Sequence, residues 1–235
     1  MIDLRNITVS LPHGSPNAKT ILDNISLTID TGEWVLLTGP NGSGKTTLLA
    51  SMAGLIPVTA GEVVRGAASE DGAGIGLLLQ EPDNQFVASS VRNELLLSLP
   101  VSLGDNGGSE HMARAVEQFS LGGFLDRNPH RLSGGEKQRL AFATVWLAKP
   151  RLLLLDEPTS YLDAVERERL VRFVETLNDD GVTVVWTTPF VDALPVGRRV
   201  IRIDQGRIEY DGPASEYTDP ASSLPVTPAD RQRIG

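Results

Sequence analysis

The stretch Gly39-Pro-Asn-Gly-Ser-Gly-Lys-Thr46 decides the fold, because it matches the pattern G-x-x-x-x-G-K-[ST]. It follows the apolar run 33–38, which predicts a buried strand, and it precedes a predicted helix at 46–53 that ends at Gly54. In that setting the glycines let backbone N–H groups converge on phosphate oxygens, and the positive end of the helix adds to the attraction. The alternative is an ordinary glycine-rich turn. The pattern favours a phosphate-binding loop.

The same pattern assigns roles to individual side chains of the loop. Lys45 is expected to reach the β- and γ-phosphates of a nucleotide, where it would assist catalysis, and the Thr46 hydroxyl is expected to join a Mg²⁺ ion. The predicted nucleotide contacts are the loop and the threonine after it: Gly39, Pro40, Asn41, Gly42, Ser43, Gly44, Lys45, Thr46 and Thr47.

A second apolar strand, Leu152-Leu-Leu-Leu-Asp156-Glu157, ends in two acids. Open α/β sheets bind ligands at the carboxyl ends of their strands, so both carboxylates are expected at the site. Asp156 is a candidate Mg²⁺ ligand, directly or through water. Glu157 lies on the opposite side of the pleat and is a candidate catalytic group that polarises an attacking water. The alternative is two solvated acids before a turn at Pro158.

Composition excludes several classes of function. A formal net charge of -9 argues against a general nucleic-acid binder, so no nucleic-acid partner is expected. The chain has no cysteine, which excludes disulfides, thiolate metal sites and cysteine catalysis. The first residues carry charges where a signal peptide has an apolar block, and no run approaches the ~20 apolar residues that span a bilayer. Any role at a membrane is therefore expected to act through a partner.

The chain changes character along its length. Apolar strands alternate with helices at both ends of the sequence, which predicts an α/β fold with a sheet covered on both faces. The region from about 83 to 149 is predicted to be helical. Proline-rich residues 212–235 are expected to form a loosely held tail. The further predicted strands are 2–9, 25–29, 75–79, 152–155 and 182–187, and the further predicted helices are 91–99, 110–120, 134–148 and 165–177.

The segment Leu132-Ser-Gly-Gly-Glu136, followed by Lys137-Gln-Arg139 and an alanine-rich helix, resembles the signature of ATP-binding-cassette (ABC) ATPases. Read locally, Ser133 and Glu136 form a capping box. Two glycines in a first turn weaken the helix, but they leave backbone N–H groups open to an outside anion. The resemblance covers residues 2–212, with the motifs in the family's order.

This resemblance implies a P-loop NTPase (RecA-like) core with an antiparallel β subdomain and an inserted helical subdomain. The implied ATPase domain spans 1–211, with the helical subdomain at about 83–149 and the tail at 212–235. ATP and Mg²⁺ are the implied cofactors. The family also implies a head-to-tail dimer, in which the signature of one subunit grips the γ-phosphate held by the other. The signature residues concerned are Ser133, Gly134 and Gly135.

Two further positions take their roles from the family. Gln80 matches the glutamine loop, so it is implied to touch Mg²⁺, to take part in catalysis and to face a transmembrane partner. Asp163, in Ser160-Tyr-Leu-Asp163, matches the aspartate loop that communicates across the dimer.

A finer resemblance lies in Gln80-Glu-Pro-Asp-Asn-Gln85, which is similar to the glutamine loop of energy-coupling-factor importers of vitamins and cobalt. It implies a peripheral subunit on the cytoplasmic face of the cell membrane, bound to a transmembrane transporter subunit and to a second ABC ATPase subunit. Phe86, Val87 and Val91 are candidates for the docking surface, or else for the helical subdomain's own core. The alternative function, a soluble ABC ATPase without a transporter, usually has a coiled-coil insertion or two fused cassettes, and the chain has neither.

The chain departs from the family pattern after strand 182–187. The family has a histidine there that contacts the γ-phosphate, and this chain has Pro189, with Thr187 and Thr188 as weaker candidate donors. Proline offers neither a side-chain donor nor a backbone N–H. We therefore expect this chain's own site to hydrolyse ATP slowly while its signature serves a more competent partner. A regulatory cassette that hydrolyses ATP poorly is the related alternative.

The second departure concerns the adenine ring. The family stacks the base on an aromatic residue shortly before the phosphate loop, and the matching place here is near Leu11, which has no π-face. His13 is either a second contact from the same loop or a solvated side chain. Relaxed nucleotide selectivity is expected.

Overall fold

The computed structural model describes residues 1–66, 74–79, 81–100, 104–160, 162–188 and 199–220. Two positions that carry predictions, Gln80 and Pro189, lie outside the described residues, as does the greater part of the predicted tail, 221–235.

A six-stranded sheet forms the centre of the molecule, in the order β5-β6-β7-β3-β8-β9. Its strands are parallel except β9, which runs antiparallel to β8. Every residue of β3, β6 and β7 is buried, so both faces of the sheet are covered as predicted. The nine described strands are β1 Ile2–Leu11, β2 Lys19–Ile29, β3 Trp34–Thr38, β4 Ala60–Arg65, β5 Ile75–Leu78, β6 Leu152–Leu155, β7 Thr183–Thr187, β8 Arg199–Asp204 and β9 Arg207–Pro213.

A second sheet has three antiparallel strands in the order β2-β1-β4. Ile2 pairs with Ile29 across one side of β1, and Leu4 pairs with Val63 across the other. The alternating apolar side chains of β1 and β2 pack into one buried cluster with the first helix and with one face of the central sheet. This packing holds the phosphate loop between the two sheets.

Five α-helices complete the described fold, and three of them form a helical unit inserted between β5 and β6. Within this unit α4 packs against both α2 and α3. The helix α5 connects β6 to β7 and belongs to the core. The helices are α1 Lys45–Met52, α2 Val91–Leu97, α3 Gly104–Gln118, α4 Gly134–Leu147 and α5 Ala164–Asp179. None of the described helices is long and apolar enough to cross a membrane.

The structure confirms each strand and helix that the sequence predicted, with shifted ends. Helix α3 begins at Gly104 rather than at 110, because its glycine-rich first turns resemble a loop in sequence. Strands β4, β8 and β9 were not predicted. The proposed domain boundary at 211/212 falls inside β9, which continues to Pro213, and Tyr217 beyond it packs against Tyr210 with ring centroids 5.2 Å apart. Residues 212–220 are therefore attached to the central sheet.

Candidate active site

The phosphate loop runs from the end of β3 to the start of α1, and its shape requires glycine. Gly39 has φ 143, and a Cβ there would collide with the carbonyl oxygen of Ile203. Gly44 has φ 109, and a Cβ there would lie 2.7 Å from a methyl group of Leu22. By contrast, Gly42 faces open space. The first turn of α1 has no side-chain cap, so its N–H groups remain available to an anion.

Lys45 is folded back onto this loop. Its Nζ donates to the carbonyl oxygens of Gly39 at 2.9 Å and Pro40 at 3.1 Å, and it lies 3.9 Å from Glu157 Oε1. The residue is only 5% exposed, and burial lowers the pKa of Lys45, with Glu157 and Asp156 acting in the opposite direction. A bound phosphate would bring a negative charge next to this desolvated ammonium and stabilise its charged form, so the pocket fits a polyphosphate. The buried Ser43 Oγ, which has no hydrogen-bond partner in the described structure, fits the same group.

Asp156 is held by two hydroxyl groups. Thr46 Oγ1 donates to one carboxylate oxygen at 2.7 Å, and Thr187 Oγ1 donates to the other at 2.8 Å. The adjacent hydroxyl and carboxylate of Thr46 and Asp156 are the oxygen donors that Mg²⁺ prefers. No group of three or more His, Cys, Asp or Glu side chains in the described residues could hold a metal alone.

Glu157 occupies an unusual backbone position beside this network. It has φ 44, in the left-handed region that costs a non-glycine residue on the order of 1–3 kcal/mol. Its N–H donates to Thr187 Oγ1 at 2.7 Å, which holds this conformation. Its side chain is 16% exposed, and Oε2 accepts from Ser160 Oγ at 3.2 Å. The carboxylate thus opens to the site, next to Lys45.

Thr187 is the positioning residue that the sequence did not identify. The sequence suggested its hydroxyl as a weak donor to phosphate; in the described structure the hydroxyl donates to Asp156 and accepts from the Glu157 N–H. The residue is also fully buried at the end of β7. A hydroxyl residue at the carboxyl end of the buried strand Thr183–Thr187, directly after three apolar residues, was the available signal.

We expect Thr187→Val to lower both the stability of the protein and its ATP turnover. Valine keeps the shape but leaves the Glu157 N–H and one Asp156 oxygen unpaired, which costs about 1–3 kcal/mol of unfolding free energy. Urea unfolding should show this loss, and ATP turnover should fall with it. Thr187→Ser, which retains the hydroxyl, is the control and should keep most of both properties. A valine variant with unchanged stability and turnover would contradict the role.

The signature residues form the start of α4. Ser133 Oγ accepts from Glu136 N at 3.4 Å, and Glu136 Oε2 accepts from Ser133 N at 2.7 Å, so the capping box is confirmed. The hydrogen bond from the Ser133 backbone N–H lowers the pKa of the Glu136 carboxyl. A Cβ on Gly134 would meet open space, and one on Gly135 would lie 2.8 Å from Glu166 Oε1. Within the part of the chain that the structure describes, no hydrogen bond joins these positions to the phosphate loop of the same chain.

Two side chains tie this helix to its surroundings. Gln138 Nε2 donates to the buried carbonyl oxygen of Pro158 at 2.6 Å, directly after Glu157. Its neighbour Lys137 donates to Asp83 Oδ2 at 2.6 Å. The Gln138 link was not predicted, because a glutamine on a helix gives no sequence signal of its own.

The aspartate-loop residue Asp163 lies at the start of α5. Its carboxylate caps this helix by accepting from Glu166 N at 2.8 Å.

The three candidate docking residues differ in their exposure to solvent. Phe86 and Val91 are 5% and 0% exposed and belong to the core, so they cannot form a docking surface. Val87 is 81% exposed, and Leu96 and Leu97 of α2 are also exposed.

Near the expected adenine position, Leu11 is partly buried against the core, and His13 is exposed.

Comparisons with known proteins agree with this geometry. A family model described as ABC transporter matches residues 22–160. The chain is 37% identical over 212 residues to the energy-coupling factor transporter ATP-binding protein EcfA1 of Bacillus subtilis, covering 84% of this chain and 74% of that protein. It is 33% identical over 229 residues to EcfA1 of Halalkalibacterium halodurans, covering 92% and 81% respectively.

Solved structures show the same relationship. The dimeric post-hydrolysis state of the ATP-binding cassette MJ0796, bound to ADP and Pi, has a TM-score of 0.79 at 27% identity and covers 92% of this chain and 100% of that one. The cbiO1 protein from Clostridium perfringens, part of the ABC transporter complex cbiONQ, has a TM-score of 0.73 at 26% identity and covers 92% and 89%.

Proposed function

The chain belongs to the ABC transporter ATPase family, and on that premise we propose that it binds and hydrolyses ATP to power an energy-coupling-factor-type importer of a vitamin or a metal ion. One observation carries the catalytic part of the proposal. Thr46, Asp156, Thr187 and Glu157 form a continuous hydrogen-bonded network beneath the phosphate loop. The importer type is supported by the names of the relatives and by the segment 80–85.

Each part of the site then has a defined task. The N–H groups of residues 39–47 and the Lys45 ammonium hold the phosphates, and the Lys45 bonds to the loop carbonyls are exchanged for bonds to phosphate oxygens. Thr46 and Asp156 hold Mg²⁺, together with Gln80 by the family pattern. When bound, that ion neutralises charge on the phosphates. Glu157 orients the attacking water and accepts its proton.

The remaining site residues act on a second subunit. Ser133, Gly134 and Gly135 would complete the site of a facing ATPase subunit, and Asp163 would lie where the two subunits communicate. The exposed side chains of Val87, Leu96 and Leu97 offer an apolar contact for a transmembrane partner. In this proposal the chain is a peripheral subunit on the cytoplasmic face of the membrane.

Pro189 favours a second candidate function. A chain without the histidine contact can serve as the slow half of an asymmetric heterodimer, where its signature supports hydrolysis in the partner. Nucleotide affinity and turnover, measured separately, distinguish this regulatory cassette from a working ATPase.

A mixing experiment tests the shared site. All chains carry Glu157→Gln, which should retain ATP, and the readout is ATP-dependent dimerisation by sedimentation. Lys45→Met removes a phosphate contact and Ser133→Arg blocks the signature, so each alone should stay monomeric. Mixed together they restore one complete site, from the loop of one chain and the signature of the other, and should form dimers. Lys19→Met, which changes an exposed lysine, is the control. Failure of the mixture to dimerise, where the Glu157→Gln chain alone does, would reject the composite site.

A further inference from the structure

A cavity of about 540 Å³ lies between α4 and α5, with the end of α3 closing one side. This volume is within the range of small-molecule sites, roughly 300–1,000 Å³. It is separate from the phosphate loop and from the Asp156 network, none of whose residues line it. Its rim, however, includes Gly135 of the signature and Gln138 of the link to Pro158.

One wall of the cavity is aromatic. Phe119 meets Phe173 edge to face with ring centroids 5.3 Å apart, Phe142 lies 6.1 Å from Phe173, and Phe119 lies 6.4 Å from Trp146. All four rings line the cavity, and three of them are only partly buried. They offer an apolar surface to a ring or a hydrocarbon body.

The cavity also contains a buried arginine N–H that has no hydrogen-bond partner in the described structure. Arg139 lines the cavity, and its Nε is buried without a hydrogen-bond partner in the described structure. Arg139 and Arg169 enter none of the ion pairs found there, whereas Arg172 is paired with Glu168 at 2.6 Å. A buried donor without an acceptor indicates a missing acceptor group. Glu166 and Asp180 also line the cavity and disfavour a multiply charged ligand.

We propose that this cavity binds a small amphipathic anion with a single negative charge, its aromatic or acyl body on the phenylalanine and tryptophan wall and its carboxylate or sulfonate on Arg139. The proposal goes beyond ATP-driven transport, because the occupant is neither the nucleotide nor the transported substrate. Such a ligand contacts both α4 and α5. It would therefore fix the signature helix relative to the core and regulate how the signature reaches the nucleotide of a partner subunit.

The test uses two fluorescent probes of nearly equal shape, the anion 1-anilinonaphthalene-8-sulfonate and the neutral N-phenyl-1-naphthylamine. Both are titrated into the full chain without nucleotide and again with saturating ATP and Mg²⁺, so that any displacement from the nucleotide site is seen. The wild type should bind the anion at a single site and more tightly than the neutral probe. Arg139→Met should weaken anion binding by about tenfold or more and leave the neutral probe within about twofold. Arg114→Met, which changes an exposed arginine on α3 paired with Glu110, should alter neither.

Three results would overturn the proposal. If ATP displaces the anion, the probe occupies the nucleotide site instead. If Arg139→Met weakens both probes equally, the arginine has only a structural role. If Arg139→Met and Arg114→Met have the same effect on the anion, the cavity is not where it binds. ATP affinity is measured on the same preparations without probe, so failure of this proposal is distinguishable from failure of the ATPase assignment.

Discussion

Replacing Pro189 with histidine is expected to raise the steady-state rate of ATP hydrolysis by about 10²- to 10³-fold, the effect of one transition-state contact. Proline has no N–H and no polar side chain, so position 189 can give nothing to the γ-phosphate. One candidate substitute, the Thr187 hydroxyl, already donates its proton to Asp156 and accepts from the Glu157 N–H. ATP affinity should change little, because the contact matters mainly in the transition state.

The comparison needs turnover and ATP affinity on the same preparations. Pro189→Ala removes the proline without adding a ring nitrogen and is the matched control, expected to stay slow. If the wild type already hydrolyses ATP as fast as ordinary importers and Pro189→His changes nothing, the chain does without the histidine. The hypothesis that this chain is the slowly hydrolysing subunit of an asymmetric heterodimer would then be wrong.

Replacing Glu157 with glutamine should abolish the hydrolysis that the Pro189→His chain gains, by about two to three orders of magnitude. The amide has nearly the same shape and can still accept from Ser160, but it cannot take a proton from water. The left-handed backbone of Glu157 is held by Thr187 through the main chain, so the substitution should leave the fold unchanged. ATP should still bind and be retained.

Single-turnover measurements separate this chemistry from product release. Glu62→Gln is the control, because that exposed carboxylate on β4 pairs with Arg5 and belongs neither to the signature nor to the Asp156 network. Its turnover should remain close to that of the parent. Rapid hydrolysis by the Glu157→Gln chain would show that another group accepts the proton.

Much of this fold was readable in the sequence, because its signals are local. Four leucines followed by Asp156 and Glu157 define a buried strand and the acids at its end, and the glycine loop defines the turn and helix beside it. The capping box of α4 was readable for the same reason. By contrast, β8 and β9 carry mixed polar and apolar residues, and β9 is an edge strand with alternating exposure. Their pairing depends on contacts with distant segments.

The candidate site also combines features that local sequence motifs predict with features that depend on contacts between distant segments. Its charged residues were predicted from motifs, but the connections between them were not. Thr187 is brought to Asp156 only because β6 and β7 are neighbours in the sheet, with Leu155 opposite Trp186. The burial of Phe86 and Val91 likewise depends on how the helical unit packs, so sequence alone could not separate them from the exposed Val87.

The two bonds at the start of α4 have a mechanical consequence. Lys137 and Gln138 are consecutive, and a helix turns by about 100° between consecutive residues, so they point in different directions. One holds Asp83, four residues before the exposed Val87, and the other holds Pro158, next to Glu157. The segment that carries Asp83 and the loop that carries Glu157 are therefore joined through one turn of α4. With the docking surface proposed above, a displacement at that surface would reach the hydrolytic acid through this turn.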